Sequence, residues 1–137
     1  MATLQFSGRV GLAILDAIEN SISTAPFLEF RTGAIPGTPA TVSSGSLLTR
    51  DALPSDWMAA ASGTTKVKAG TWTATGITGI TTSNIGYFRI YGFGSPDMCD
   101  IQGDVAVSGS AMTVDNISIA AAQVVTINTF TLTAPNP

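Results

Sequence analysis

Histidine is absent from this chain, which removes the side chain that most often acts as a general base or metal ligand near neutral pH. A serine or cysteine nucleophile activated by histidine is therefore impossible. The single cysteine, Cys99, excludes an intrachain disulfide and a zinc site built from several cysteines. Because Cys99 alternates with Ile101, we interpret it as a small buried apolar residue rather than a reactive thiol.

Charged residues are scarce, at 11% of 137 residues against roughly 25% in an average soluble domain. The six basic residues are scattered and form no stripe that could neutralise phosphates, so no nucleic-acid partner is predicted. Lys66 and Lys68 share one face of an extended segment, and we interpret them as a solvated strand edge that blocks unwanted pairing. Hydrophobic residues make up 45% of the chain. This composition predicts that part of the protein's surface is buried against another protein chain.

Long apolar runs are also missing. Asp16 ends the apolar run of residues 10–15 before it reaches the roughly 7–15 residues of a secretory signal core. No window reaches the roughly 18 apolar residues of a membrane span. We therefore expect synthesis in a cytoplasm without secretion, and no membrane partner.

Paired carboxylates are the remaining route to catalysis or metal binding. On an extended strand Asp100 and Asp104 share a face but stand roughly 13 Å apart, beyond the about 5–9.5 Å of glycosidase pairs. Asp97 and Asp100 suggest a calcium site, but no DxDxDG loop is present and solvated turn carboxylates are the preferred interpretation. Folding could still bring a distant carboxylate close to one of these: Asp51, Asp56 or Glu29. The sequence predicts no enzyme activity, no metal and no cofactor.

One amphipathic helix is predicted, over residues 8–22. Ser7 is its expected N-cap, and Pro26 follows its end. Apolar residues recur at every fourth position, with Leu15 and Ala17 widening the stripe: Val10, Ile14, Ile18 and Ile22. This face is expected to cover an open end of the β domain or to dock on a neighbouring molecule. The first arrangement is preferred, because so short a helix is marginal alone.

The remaining chain alternates in short apolar segments separated by turn residues. The clearest pair is a β-hairpin of residues 86–92 and 99–105, joined by a turn over residues 93–97. Further strands are predicted at residues 27–32, 47–49, 67–75, 112–119 and 124–133. A change of parity at Asp115 and Asn116 indicates a bulge or bend. The pattern predicts one domain, residues 1–137, folded as an all-β antiparallel sandwich or jelly roll of about seven or eight strands with one N-terminal helix.

Trp57 and Met58 lie in a connection rather than in a strand. One interpretation is that they plug the end of the core. The other is that they anchor an interface with a partner, since tryptophan is enriched in such interfaces. The two interpretations are weighed evenly, and Trp57 and Met58 are the candidate partner-interface residues.

A series of segments resembles a family of small structural proteins of tailed bacteriophages. The segments are residues 25–33, 46–48, 53–57, 87–91, 101–105 and 125–132. The resemblance implies a capsid decoration, or cement, protein of jelly-roll type that binds the major capsid protein lattice, often as a homodimer or homotrimer. It also implies a place on the outer capsid surface of a virion, after synthesis in the host cytoplasm. The family supplies no catalytic residues.

Three functions follow from these observations, and a protein that cements a phage capsid is the preferred one. The second is a carbohydrate- or receptor-binding module of a phage tail fibre or bacterial adhesin. Exposed aromatic rings would stack on its ligand, and burial of the same rings would count against it: Trp57, Trp72, Tyr87 and Tyr91. The third is a carboxylate-based hydrolase, which needs two carboxylates close together in one concave pocket.

Overall fold

The computed structural model describes residues 3–92 and 99–135, which fold mostly as β-strands with one helix. Helix α1 spans Gly8–Ile22. The described strands are β1 (Phe27–Arg31), β2 (Leu47–Ala52), β3 (Thr65–Val67), β4 (Trp72–Thr75), β5 (Ser83–Asn84), β6 (Tyr87–Tyr91), β7 (Ile101–Ala106), β8 (Met112–Val114), β9 (Ser118–Ile119) and β10 (Val124–Thr133). The predicted fold class is confirmed. The predicted turn at residues 93–97, with the calcium candidate Asp97, lies outside the described residues.

One curled sheet of eight strands forms the body of the molecule, in the order β2-β1-β6-β7-β8-β10-β3, with β4 also paired to β10. β3 and β4 lie along the same side of β10 and divide the predicted strand 67–75 in two. The break contains Gly70, whose φ of +68° is accessible to glycine at little cost. The sheet curls so far that β2 approaches the chain that follows β4. The Ile77 amide there donates to the Leu48 carbonyl of β2 at 2.9 Å.

One strand pair departs from the predicted antiparallel arrangement. β7 and β8 run parallel, with Val105 opposite Met112 and Ala106 opposite Thr113. Between them the chain turns back through Gly109, which has a φ of +69°. This parallel pair makes the sheet mixed. Because the parallel contact covers only two residue pairs, the sheet is still compatible with a sandwich or jelly roll.

The predicted central hairpin is confirmed by the antiparallel pairing of β6 with β7. All five residues of β6 are buried. Phe88 and Ile90 belong to the hydrophobic core, where Phe88 meets Phe130 edge to face with ring centroids 5.8 Å apart. Tyr87, Arg89 and Tyr91 alternate with them and therefore lie on the opposite face of the strand.

Helix α1 lies against the same chain. Ser7 Oγ accepts from the Val10 amide at 3.3 Å, as expected for an N-cap. The buried positions are Gly11, Leu15 and Ile22, so Leu15 and Ile22 of the predicted stripe are buried. Val10, Ile14 and Ile18 are half-buried. At Gly11 the helix packs closely against Ala134, because a Cβ added at Gly11 would lie 3.0 Å from the Ala134 Cβ.

The interpretation of Lys66 as part of a solvated edge is wrong. Its side chain is 2% exposed, and its Nζ lies 2.9 Å from Asp16 Oδ1 and 2.7 Å from Glu19 Oε2 of α1. Burial alone would lower the pKa of Lys66, but the hydrogen bonds and charges of Glu19 and Asp16 outweigh it and the pKa is raised. Strand alternation identifies the face on which a lysine lies, but it does not reveal that a helix covers that face.

Candidate functional site

The two candidate interface residues both lie inside the chain. Trp57 is 0% exposed and Met58 is 2% exposed. The Trp57 ring packs against Trp72 with centroids 6.1 Å apart, and its Nε1 donates to the Ser23 carbonyl at the end of α1 at 2.9 Å. Both side chains therefore plug the core and offer no surface in this structure. Contact of Trp57 and Met58 with a partner stays a prediction.

The four aromatic residues considered for carbohydrate stacking are buried. Trp57, Trp72 and Tyr87 are 0% exposed, and Tyr91 is 4% exposed. A ring must present a face to solvent before a sugar can stack on it. The burial counts against a binding module that uses these rings.

Several aspartates, among them three considered for catalysis (Asp51, Asp100 and Asp104), accept hydrogen bonds from backbone amides. Asp100 Oδ2 accepts from the Gly92 amide at 2.6 Å, and Asp104 Oδ1 accepts from the Ala111 amide at 2.8 Å. Asp115 Oδ1 accepts from the Thr126 amide at 3.0 Å, next to the predicted bend between β8 and β9. Asp51 Oδ2 accepts a hydrogen bond from the Thr75 amide at 3.1 Å. Burial raises the pKa of Asp51, although this hydrogen bond acts to lower it. Across residues 3–92 and 99–135, no group of three or more potential metal ligands occurs.

Two clefts offer room for a small molecule but not a free carboxylate pair. A cleft of about 630 Å³ is lined by neutral residues, among them Thr32, Ser46 and Asn84. A cleft of about 450 Å³ has Glu19 and Asp56 in its lining, but Glu19 is engaged by Lys66 at 2.7 Å. The second cleft therefore contains one carboxylate that an internal cation already neutralises, which gives the hydrolase hypothesis little support.

Cys99 is confirmed as a buried residue, 7% exposed. Its Sγ donates to the Ile101 carbonyl at 2.9 Å. Burial raises the pKa of the Cys99 thiol, which favours the unreactive protonated form.

The loop of residues 33–45 connects β1 and β2 on the surface. Its two ends are joined, because the Thr32 amide donates to the Ser46 carbonyl at 3.0 Å and the Ser46 amide donates to Thr32 Oγ1 at 2.8 Å. Gly45 has a φ of +67°, and a Cβ there would lie 1.8 Å from the Thr32 carbonyl oxygen. Glycine is therefore required at this closure. The loop has the form of a compact Ω-loop.

Tyrosines of β6 hold the end of this loop against the outer face of the sheet. Tyr87 Oη donates to the Ser44 carbonyl at 2.7 Å and accepts from the Ser44 amide at 3.0 Å. Tyr91 Oη lies 3.1 Å from Ser43 Oγ. These bonds satisfy the hydroxyls of two buried aromatic side chains and fix the loop at its C-terminal half.

Arg89 holds the middle of the loop. Its Nη2 donates to the Thr41 carbonyl and to Gln102 Oε1, each at 2.8 Å, and its Nη1 donates to Ser43 Oγ at 3.2 Å. Gln102 Nε2 in turn donates to the Pro36 carbonyl at 2.7 Å. Arg89 and Gln102 thus connect β6 and β7 to three separate points along loop 33–45.

The guanidinium of Arg89 is buried, and among residues 3–92 and 99–135 it has no carboxylate partner. The side chain is 2% exposed. Glu29 stands opposite Arg89 on β1 but pairs with Arg31 and Arg50. Arg89 Nε has no hydrogen-bond partner in the part of the chain that the structure describes. Burying a cation in this way is costly, and the hydrogen bonds to Thr41, Ser43 and Gln102 offset part of the cost.

The outward side of loop 33–45 is uncharged and partly apolar. No charged residue occurs between Arg31 and Arg50. Val42 is 86% exposed and Ile35 is 42% exposed. The sequence interpretation missed this surface, although the alternation of Tyr87, Arg89 and Tyr91 on one face of β6 was a usable signal. Three large polar side chains on one side of a central strand indicate that something must cover them.

No protein-family model matches the chain, and no curated protein or solved structure matches it. Among the described residues, no helix is long and apolar enough to cross a membrane.

Proposed function

We propose that the chain is a structural virion protein that decorates a bacteriophage capsid and stabilises it by binding the lattice of the major capsid protein. The observation that carries the proposal is a surface poor in charge with large apolar side chains on it. Val42 is 86% exposed, Leu4 72% and Val124 56%. Covering such side chains with a neighbouring subunit removes apolar surface from water and is therefore favourable.

The scarcity of surface charge is greater than the composition alone suggests. Of the few charged residues, Glu29, Lys66 and Arg89 are buried inside the chain. Asp51, Asp100 and Asp104 keep their charge but accept hydrogen bonds from backbone amides. Since charged residues make up only 11% of the chain and three of them are buried, a neighbour can cover parts of this surface without the large cost of removing charge from water.

The bacteriophage assignment is supported by the resemblance of the segments described above to capsid decoration proteins. A decoration protein is present in many copies on a regular shell, where several weak contacts combine into strong retention. The proposal includes self-association as a homodimer or homotrimer and a location on the outer capsid surface. It requires no cofactor and no catalytic residue.

A binding experiment with capsid shells tests the proposal. Shells of the phage that encodes the chain, prepared without this protein, are mixed with increasing amounts of purified protein, and bound copies are counted after sedimentation and by cryo-electron microscopy. Binding should saturate at a copy number fixed by the lattice, and coated shells should withstand higher temperatures before they release DNA. Shells of an unrelated phage serve as the control.

Two outcomes would overturn the proposal. One is the absence of binding to the cognate shells at saturating protein. The other is binding to the surface of host cells instead of shells, which would favour the receptor-binding module. No described residue specifically favours that second function, because its four candidate aromatic rings are buried.

A further inference from the structure

We propose that loop 33–45 is the surface through which the chain docks on the capsid shell, with Val42 as its apolar anchor. This inference rests on the proposed function and adds the contact face to it. The partner is an uncharged, apolar-lined recess on the outer surface of a major capsid protein subunit. Three observations carry the inference: the fixed shape of the loop, the unusual cost of fixing it, and the chemistry of its outer side.

The shape of the loop is set before any partner arrives. Its ends are joined through Thr32 and Ser46, and its body is bonded to side chains of β6 and β7 at Pro36, Thr41 and Ser44. A segment that is already ordered loses little conformational entropy when it is bound. Loop 33–45 therefore meets the condition for a surface that binds without refolding.

Holding the loop in one conformation requires the burial of the Arg89 guanidinium, which is energetically unfavourable. A buried position between the sheet and the loop would be filled more favourably by an apolar side chain if it served stability alone, because a buried cation that has no carboxylate among the described residues loses its hydration. Arg89 is 2% exposed, its Nε has no partner among the described residues, and its other donors reach Thr41, Ser43 and Gln102. Local departures from stable packing are expected where a function depends on the geometry that they hold. Here that geometry is the position of the loop.

The charge of the loop defines its partner. With no ionisable side chain between Arg31 and Arg50, the loop has nothing to neutralise a charged group on the facing surface. A charged partner would therefore be buried unpaired, which is unfavourable. Complementarity requires an uncharged recess, and the side chain of Val42, 86% exposed, is the group that such a recess would bury. Binding should accordingly change little between low and high salt.

Matched valine substitutions test the docking face. Val42→Asp places a carboxylate on the loop, and Val107→Asp places the same group on an exposed valine after β7, 59% exposed. Both side chains are exposed, so both variants should fold. We expect Val42→Asp to weaken binding to cognate shells by about tenfold or more, because it buries an unpaired charge. Val107→Asp should bind like the unchanged protein.

Hydroxyl removal tests the role of loop order. Tyr87→Phe with Tyr91→Phe keeps both buried rings and deletes the bonds to Ser43 and Ser44. We expect faster amide hydrogen exchange in residues 41–44 and several-fold weaker shell binding, while the folded core remains protected.

Each result is decisive. If the unchanged protein does not bind shells, the proposed function fails. If it binds and Val42→Asp binds equally well, the function stands and the docking face is refuted. Loss of binding in Val107→Asp alone would assign docking to another face. If Val42→Asp instead abolishes self-association in sedimentation without reducing shell binding, the loop contacts a second copy and the inference is overturned.

Discussion

Lys66 and Asp16 lie 50 residues apart in the chain, yet the lysine Nζ is 2.9 Å from the aspartate Oδ1. Glu19 Oε2 approaches the same ammonium group at 2.7 Å. The buried lysine therefore joins β3 to α1, and the helix depends on this ionic contact as well as on Leu15 and Ile22 for its position.

Removing both carboxylates should destabilise the protein strongly. In Asp16→Asn combined with Glu19→Gln, Lys66 stays buried without a counter-charge, and the free energy of unfolding should fall by about 3 kcal/mol. Urea unfolding followed by circular dichroism measures it. Asp16→Asn alone is the control: Asp16 is 55% exposed and Glu19 remains, so the loss should be about 0–1 kcal/mol. A double variant as stable as the single one would show that Lys66 needs neither partner.

The same contact predicts a loss of stability at alkaline pH. The pKa of Lys66 is raised in the folded protein from its ordinary value of 10.5, so folding favours the protonated form. Its contribution is complete below about pH 10.5 and is lost as the pH rises through the folded-state pKa. Urea midpoints measured from pH 7 to alkaline pH should therefore converge for the unchanged protein and Lys66→Met. A constant difference between the two proteins would contradict the linkage.

Cys99 should react slowly with alkylating reagents in the folded protein. Its Sγ is bonded to the Ile101 carbonyl, and burial raises the pKa of the thiol, so little thiolate is available. Iodoacetamide labelling followed by mass spectrometry should show fast reaction in urea and slow reaction in buffer, with Cys99→Ala as the unlabelled control. Equal rates in both solvents would mean that the thiol is freely accessible.

Trp57 should be among the most important residues for stability. Trp57→Ala removes a fully buried ring from the cluster with Trp72 and should cost about 3–5 kcal/mol. Trp57→Phe keeps an aromatic ring but loses the bond to the Ser23 carbonyl, so a smaller cost is expected. Circular dichroism in urea compares the two variants, since fluorescence changes when a tryptophan is removed. A cost below 1 kcal/mol for Trp57→Ala would be incompatible with the observed burial.

The closure of loop 33–45 should depend on Gly45 and not on Gly37. Gly45→Ala introduces a Cβ at a φ of +67° and against the Thr32 carbonyl, and should cost at least about 1–2 kcal/mol. At Gly37 an added Cβ meets no atom within 4 Å, so Gly37→Ala should be close to neutral. Thermal unfolding of both variants provides the comparison. Equal stability of the two alanine variants would argue against the tight closure.

Much of the fold could be predicted from local patterns. The helix was predicted over residues 8–22 and spans Gly8–Ile22, and the last strand was predicted over residues 124–133 and spans Val124–Thr133. The bend at Asp115 and Asn116 corresponds to the break between β8 and β9. These features depend on neighbouring residues in the chain, because helix periodicity, strand alternation and turn residues are local properties.

The candidate site was less accessible from sequence. Trp57 and Met58 were open to two interpretations, and only packing against Trp72 and the rest of the core puts both inside the chain. The role of Arg89 in holding loop 33–45 depends on contacts such as that with Thr41, 48 residues away. No local pattern specifies such a pairing.

Composition and local pattern are enough to predict the all-β fold with one helix, the scarcity of charge and the absence of any site that needs histidine. The burial of Lys66, the parallel contact between β7 and β8 and the fixing of loop 33–45 on the sheet follow only from the folded chain. Alternation shows which residues share a face, but contacts between distant parts of the chain select the element that covers this face.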